Sequence, residues 1–138
     1  MNSPHSPVDN QRILVVEDDK FMREVLEMAL GNHGFQVESA ADGAAALDLV
    51  RLMHFDLVIT DLIMPGMAGI ETIMALLAYE PEIKIIAISG AQPGDKRDFL
   101  PLAKSLGAMA VLRKPFDRDH FIATVRGVIA QEVRRLVG

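Results

Sequence analysis

Short apolar segments alternate with amphipathic helical segments five times along this chain, and this alternation limits the folds open to it. The apolar segments are rich in β-branched residues, as strands buried on both faces are. Strands are predicted over residues 12–16, 36–40, 57–60, 83–89 and 108–112, and helices over 21–32, 43–52, 68–79, 101–106 and a last segment. Strands that alternate with helices form right-handed βαβ units around a parallel sheet. The pattern therefore predicts one α/β domain with a five-stranded parallel sheet in the order 2-1-3-4-5 and helices on both faces.

Helical spacing also predicts the buried faces of three helices. The residues assigned to these faces are Val25, Leu26, Ala29 and Leu30 in the first helix, Ile70, Ile73, Met74 and Leu77 in the third, and Phe121, Ile122, Val125, Val128, Ile129 and Val133 in the last. Asp117 is predicted as the N-cap of the last helix, because a carboxylate there can accept hydrogen bonds from the first turn.

The composition argues against several functional classes. The 138 residues carry a net charge of −5 and no basic run, which gives no support for direct nucleic-acid binding. The absence of cysteine excludes disulfides and thiolate metal sites. No apolar stretch approaches the ~20 residues that a membrane span needs. We therefore expect a cytoplasmic protein without membrane contact, in which residues 1–11, polar and rich in Pro and Ser, form a disordered leader and residues 12–138 form the domain.

Polar residues follow four of the five predicted strands. Glu17, Asp18 and Asp19 follow the first strand, Asp61 the third, Ser89 ends the fourth, and Arg113 and Lys114 follow the fifth. In a sheet of this order, ligands bind beyond the carboxyl ends of the strands, where the winding direction switches between strands 1 and 3. Carboxylates gathered there would repel one another, so we expect a cation between them. Hard oxygen ligands in this small number favour Mg²⁺.

A carboxylate that faces a divalent cation and a lysine can take up a phosphoryl group. Asp61 would be the nucleophile, Ser89 would donate its hydroxyl to one phosphoryl oxygen, and Lys114 would bind another. Each residue alone also has a plain structural interpretation. Asp61 is typical of a turn before Pro-Gly, and acidic residues after the first strand suit the N-terminus of a helix, which is the role we assign to Asp19. The combination favours a shared site over these separate roles.

Four motifs occur in the order, and at the strand ends, that are typical of a response regulator receiver domain: "ILVVEDD", "DLVITDLIMPGMAG", "IAISG" and "LRKPF". From Arg12 to the last helix the chain resembles this family, whose fold is flavodoxin-like. The resemblance implies that Asp61 is the phosphoacceptor and that Asp18 binds Mg²⁺ directly. It implies that Glu17 acts on the metal mostly through water and that Ile63 offers its backbone carbonyl.

The resemblance further assigns the switch hydroxyl to Ser89 and the invariant lysine to Lys114, with a cis peptide bond at Lys114–Pro115. It implies that the phosphoryl group comes from a sensor histidine kinase or a histidine phosphotransfer protein. The signal would then pass to an unknown downstream protein through protein contacts, and a homodimer through helix 4, strand 5 and helix 5 stays open. Such a domain assists only its own phosphorylation and dephosphorylation, so we do not expect an enzyme.

The sequence departs from the family pattern at two positions. Val111 stands where the family usually carries Tyr or Phe, so the usual movement of a ring behind the switch hydroxyl is not available. Pro101 falls within the family's fourth helix, which predicts a helix that starts late or is kinked, preceded by a mobile loop, "GDKRDF". Ile63 and Ala91 cannot hydrogen-bond an attacking water, so we expect slow loss of the phosphoryl group.

Two other functional classes compete with this one: an interaction module, and an enzyme that acts as a phosphatase or binds flavin. A receiver-like interaction module that is not phosphorylated is the main alternative. Val111 leaves room for it, whereas the intact set of Asp18, Asp61, Ser89 and Lys114 argues against it. A phosphatase with an aspartyl nucleophile would need a second acid two residues after Asp61, where Ile63 stands. Flavin binding would place a phosphate next to Glu17, Asp18 and Asp19, which would repel it.

Overall fold

The computed structural model describes residues 11–64 and 69–131, and in these ranges five strands alternate with five helices. The strands are β1 (Arg12–Val16), β2 (Gln36–Ala40), β3 (Leu57–Asp61), β4 (Ile85–Ser89) and β5 (Ala110–Arg113), and the helices are α1 (Lys20–Gly31), α2 (Gly43–Leu52), α3 (Gly69–Tyr79), α4 (Leu100–Leu106) and α5 (Arg118–Ala130). All strand pairs are parallel, in the order β2-β1-β3-β4-β5. The predicted fold class is therefore confirmed. The proposed leader, apart from residue 11, and Val133 lie outside the described residues.

The sheet separates two hydrophobic clusters. Successive side chains of a strand point to opposite faces, so each inner strand supplies both clusters. The cluster towards α1 and α5 contains Ile13, Val15, Leu26, Leu30, Ile59, Ile86 and Phe121. The cluster towards α2, α3 and α4 contains Leu14, Val16, Leu47, Val58, Ile73, Leu76 and Leu100. Helices on both faces explain why β3 and β4 are buried along their whole lengths.

Two residues assigned to buried helix faces are instead exposed. Val25 is 43% exposed and Met74 is 54% exposed. In α3 the residue that completes the buried face is Leu76, three positions after Ile73, whereas Met74 is rotated by about 100° from Ile73 towards solvent. The prediction was wrong at these two positions because helical spacing alone does not give the width of the buried face.

The helix starts agree with the predicted caps. Asp19 caps α1 and accepts a hydrogen bond from the Phe21 N–H at 3.1 Å. Asp117 caps α5 and accepts from the His120 N–H at 2.7 Å. Strands β4 and β5 each begin two residues later than predicted, at Ile85 and Ala110.

Helix α4 is short and starts late, as Pro101 predicts. The helix begins at Leu100 and contains only seven residues, with Pro101 in its first turn. Proline is tolerated there because backbone N–H groups of the first turn have no partner within the helix. The resulting connection from β4 to α4 runs over residues 90–99, and its mobility stays a prediction. Among the described residues, none of the helices is both long and apolar enough to cross a membrane.

Candidate functional site

Four strands bring polar residues to one edge of the sheet. Asp61 and Ser89 are the last residues of β3 and β4, whereas Glu17 and Lys114 directly follow β1 and β5. Because these strands are parallel, their carboxyl ends meet at the same edge. Glu17, Asp61 and Ser89 are at most 4% exposed. The structure therefore gathers buried polar groups at the strand ends that flank the topological switch point.

Lys114 joins the two buried carboxylates. Its Nζ lies 2.7 Å from Asp61 Oδ2 and 3.0 Å from Glu17 Oε1. Two buried carboxylates would carry a large desolvation cost without such a partner. One ammonium group therefore neutralises part of an acidic pair whose members are far apart in sequence.

Further contacts of Glu17 hold its side chain and backbone in place. Its Oε2 accepts a hydrogen bond from the Asp19 N–H at 3.2 Å, and its carbonyl accepts one from Arg23 Nη1 at 2.8 Å. Burial raises the pKa of the Glu17 carboxyl to about 7, the hydrogen bond from Lys114 opposes this rise, and the charge of Asp61 adds to it. Glu17 therefore gains or loses a proton near neutral pH when no metal is bound.

The ammonium group of Lys114 stays charged. Burial alone would lower the pKa of Lys114, but the hydrogen bonds to Asp61 and Glu17 together with the charges of these two carboxylates outweigh burial and raise this pKa above its ordinary value. Lys114 is thus a permanent cation beside Asp61, able to bind an anionic oxygen.

Local contacts fix the position of Asp61. Its Oδ1 accepts a hydrogen bond from the Ile63 N–H at 3.0 Å, and its carbonyl accepts one from the Thr60 hydroxyl at 3.1 Å. Helix α3 begins against the same backbone: a Cβ on Gly69 would lie 2.3 Å from the Leu62 Cα and 2.8 Å from the Asp61 carbonyl oxygen. Only a glycine allows this approach. The hydrogen bonds and the close contact with α3 therefore restrict movement of Asp61.

Three acids at this edge have the chemistry of a site for a hard divalent cation. Glu17, Asp18 and Asp61 each offer a carboxylate oxygen, and these three oxygens lie within 4.8 Å of one another. Asp18 is exposed, so water can complete the coordination shell that Mg²⁺ keeps in proteins. The donor set therefore fits Mg²⁺. For Ile63 the structure shows the N–H contact to Asp61, and the role of its carbonyl stays a prediction.

Ser89 belongs to the same edge but its hydroxyl is bonded to its own loop. Ser89 Oγ accepts a hydrogen bond from the Ala91 N–H at 3.1 Å, and the Ser89 carbonyl accepts one from the Lys114 N–H at 2.8 Å. The Lys114–Pro115 peptide bond is cis, as the resemblance implies. The backbone hydrogen bond between the Lys114 N–H and the Ser89 carbonyl thus holds Ser89 and Lys114 next to each other.

The structure reveals an ion pair that sequence reasoning missed. Both Arg113 Nη1 and Arg113 Nη2 lie 2.9 Å from the carboxylate oxygens of Asp98, and Nη1 also donates to the Ala91 carbonyl at 2.8 Å. Each partner stabilises the charged form of the other, so the pKa of Asp98 is lowered and that of Arg113 is raised. No local sequence pattern predicts an ion pair between Asp98, in the connection before α4, and Arg113, at the end of β5. The only sequence signal is the place of Arg113 beside Lys114.

An apolar groove lies next to this edge, between α1 and the segment that follows β5. It has a volume of about 530 Å³, and Lys114 forms part of its wall. Phe21 is 72% exposed and Met28 is 67% exposed on the α1 side. On the other side Phe116 and Phe121 stack with ring centroids 5.4 Å apart. Sequence reasoning missed this groove because it assigned Val25, which lines the groove, to the core face and did not assign Phe21 to any surface.

Comparison with known proteins places the chain in a family. A family model described as "Response regulator receiver domain" matches residues 13–126. "Sporulation initiation phosphotransferase F" of Bacillus subtilis (strain 168) is 33% identical over 117 residues, which cover 85% of this chain and 92% of that protein. "Response regulator MprA" of Mycobacterium sp. (strain KMS) is 33% identical over 118 residues, or 86% of this chain, and the chain spans about half of its length.

Solved structures show the same likeness. The chemotaxis protein CheY4 of Vibrio cholerae superposes with a TM-score of 0.77 at 29% identity, covering 86% of this chain and 98% of that one. The response regulator TrrA of Thermotoga maritima, solved in complex with Mg²⁺ and BeF, gives a TM-score of 0.75 at 30% identity, with the same coverage. With its fold, acidic edge and sequence in agreement, the chain belongs to the response regulator receiver domain family of two-component systems.

Proposed function

We propose that Asp61 accepts a phosphoryl group from a phosphohistidine of a sensor histidine kinase or a histidine phosphotransfer protein. Receiver domains are signalling modules that interact with such proteins. The observation that carries the proposal is the contact of Asp61 Oδ2 with Lys114 Nζ at 2.7 Å, on an edge where Glu17 and Asp18 supply further carboxylates. An aspartate held in this way can act as an oxygen nucleophile.

The reaction that we propose is an in-line displacement at phosphorus. Asp61 Oδ2 forms a bond to the phosphorus atom while the bond from phosphorus to the histidine nitrogen breaks, and the electron pair of that bond returns to the imidazole ring. Lys114 would move from the carboxylate oxygen to a phosphoryl oxygen, and the Ser89 hydroxyl would donate to a second one. Asp61 keeps its hydrogen bond from the Ile63 N–H during the step.

Glu17, Asp18 and Asp61 would hold Mg²⁺, with the Ile63 carbonyl as a further oxygen ligand. When bound, the cation would neutralise negative charge on the carboxylates and on the incoming phosphoryl oxygens. Support comes from the three carboxylate oxygens within 4.8 Å and from the related TrrA structure, which contains Mg²⁺ and BeF. We take residues 12–138 as the extent of the domain that carries this chemistry.

The apolar groove supports the choice of donor. Phe21, Val25 and Met28 form an exposed apolar strip on α1 beside Lys114 and the acidic edge. A protein-bound phosphohistidine must bring a docking surface as well as a phosphoryl group, and an apolar strip of this kind is typical of protein contacts. Phosphorylation would then alter the affinity for a downstream protein, and dimerisation through α4, β5 and α5 stays a proposal.

Mass spectrometry after incubation with acetyl phosphate and Mg²⁺ tests the phosphoacceptor. We expect the mass of one phosphoryl group in the native chain and none in Asp61→Asn, whereas Asp56→Asn, which removes an acid at the opposite edge of the sheet, keeps the modification. An unmodified native chain would instead favour a receiver-like module that is not phosphorylated. To test the donor contact, Phe21→Ala should slow transfer from a phosphorylated histidine protein but leave the rate with acetyl phosphate unchanged.

A further inference from the structure

We propose that Arg113 and Asp98 are positioning residues that couple the Ser89 hydroxyl to helix α4, in place of the aromatic ring that Val111 does not supply. This inference rests on the proposed function of Asp61. Val111 is half-buried against the cluster that contains Leu100 and Ala103 of α4. A valine side chain has few rotamers and no ring that could turn between an outer and an inner position. The link between the pocket and α4 must therefore use other contacts.

A continuous series of hydrogen bonds leads from Ser89 to the start of α4. Ser89 Oγ accepts from the Ala91 N–H at 3.1 Å, and the Ala91 carbonyl accepts from Arg113 Nη1 at 2.8 Å. Arg113 then binds both carboxylate oxygens of Asp98 at 2.9 Å. Asp98 precedes the first residue of α4, Leu100, by only two positions. Ala91 is thus bonded at its N–H to the switch hydroxyl and at its carbonyl to the ion pair.

The ion pair is suited to pass on a displacement because its geometry is fixed. A guanidinium group and a carboxylate joined by two parallel hydrogen bonds hold both distance and orientation. The Asp98 side chain is only 9% exposed and that of Arg113 is 34% exposed, so salt screens the pair less than a fully exposed one. Arg113 is also the neighbour of Lys114 in the chain, and its Cα lies in register with Ser89 on the adjacent strand.

Phosphorylation would act on this series at Ser89. When the Ser89 hydroxyl turns to a phosphoryl oxygen on Asp61, the Ala91 N–H either follows its acceptor or loses it. An N–H that follows its acceptor moves the Ala91 backbone, and one that loses its acceptor frees that backbone to shift; the carbonyl of the same residue is held by Arg113. The displacement is thereby carried to Asp98 and to the first turn of α4. Because the ion pair carries the coupling in this scheme, breaking it should weaken the response of α4 to a phosphoryl analogue.

Amide hydrogen exchange with and without beryllium fluoride and Mg²⁺ tests the coupling. In the native chain, beryllium fluoride should change the exchange of the α4 amides by about fivefold or more, a size typical of coupling between sites. In Asp98→Asn and in Arg113→Lys this response should fall below about twofold, while the Ile63 amide still reports binding at Asp61. Asp98→Glu keeps the carboxylate and should restore the response.

A matched control separates this effect from a general loss of charge. Asp48→Asn removes a carboxylate from an exposed ion pair with Arg51, in which the two atoms are 3.8 Å apart, and should leave the α4 response intact. An α4 response in Asp98→Asn and Arg113→Lys equal to the native one would overturn the proposal, as would a native chain in which beryllium fluoride binds without affecting α4.

Failure of the proposed function would give a different result. In that case the native Ile63 amide would not respond to beryllium fluoride at all, and the ligand-free proteins would decide the role of the pair. The Ala91 amide should then exchange at least about fivefold faster in Asp98→Asn than in Asp48→Asn if the pair positions it. Equal exchange in these two variants would overturn the positioning role.

Discussion

Removal of the Lys114 cation should destabilise the protein in a manner that depends on pH. Lys114→Met keeps an unbranched side chain, shorter by the ammonium group alone, but leaves the carboxylates of Glu17 and Asp61 buried without their cationic partner. Loss of one member of a buried ion pair costs about 3–5 kcal/mol. Because the Lys114 side chain is 22% exposed, we expect the lower end of that range, about 3 kcal/mol of unfolding free energy, in metal-free buffer near pH 8.

The pH dependence follows from the raised pKa of Glu17. Its pKa is about 7 in the folded protein, against an ordinary value of 4.5, so folding takes up a proton between these two pH values. The contribution of Glu17 to stability is therefore fully present below pH 4.5 and is lost as the pH rises through about 7. With a pKa of about 7, Glu17 is already protonated and neutral near pH 5.5 in the native protein, and Lys114→Met, which removes a group that lowers this pKa, leaves it neutral there. Only Asp61 then lacks its partner, and the loss should fall to about 1.5 kcal/mol.

Urea unfolding followed by circular dichroism, with EDTA present, measures both values. Lys104→Met is the matched control, because Lys104 donates to the Met109 carbonyl at an exposed position. We expect the control to change the unfolding free energy by less than about 0.5 kcal/mol at either pH. The reasoning is refuted by a Lys114→Met loss that is equal at both pH values, or by a loss near pH 8 no larger than that of the control.

Further predictions concern the backbone contacts that position Asp61 and the lifetime of the proposed phosphoryl group on it. Gly69→Ala should cost about 3 kcal/mol of unfolding free energy in urea titrations, because its Cβ would overlap the Leu62 backbone, which cannot move aside as a side chain can. Gly127→Ala, in open space on α5, should instead stabilise the protein by about 0.5–1 kcal/mol, and a similar loss in both variants would contradict the packing argument. The phosphorylated protein should lose its phosphoryl group with a half-life of minutes or longer in Mg²⁺, since Ile63 and Ala91 offer no side-chain hydrogen bond to water; a half-life of seconds, measured by intact mass, would refute this.

The fold could be predicted because its signals are local and repeated. Five apolar segments separated by helical segments specify a parallel sheet, and a residue that follows a strand must lie at its carboxyl end. For this reason the sequence located Glu17, Asp61, Ser89 and Lys114 at one edge. It also located the start of α4, because proline acts on the turn that contains it.

Properties that depend on distant neighbours could not be predicted in this way. Whether Val25 or Met74 is buried depends on how the sheet and adjacent helices cover α1 and α3, which helical spacing does not contain. The pairing of Arg113 with Asp98 depends on the path of the loop before α4, and several other acids were equally available by sequence alone. The sharing of Lys114 between two carboxylates likewise required the assembled sheet edge.

Helix α3 begins in direct contact with the backbone of Asp61 and Leu62, and this contact makes one wall of the pocket around Asp61 stiffer than the other. On the α3 side, backbone meets backbone at Gly69 with no room for even a methyl group, so any shift of Asp61 would have to carry a whole helix with it. On the Ser89 side, the wall is held by individual hydrogen bonds, which exchange partners at small free-energy differences. A group added to Asp61 would therefore leave its own strand where it is and displace the opposite wall. The place where the molecule changes shape would therefore depend on which wall of the pocket moves more easily, and not on the size of the group added to Asp61.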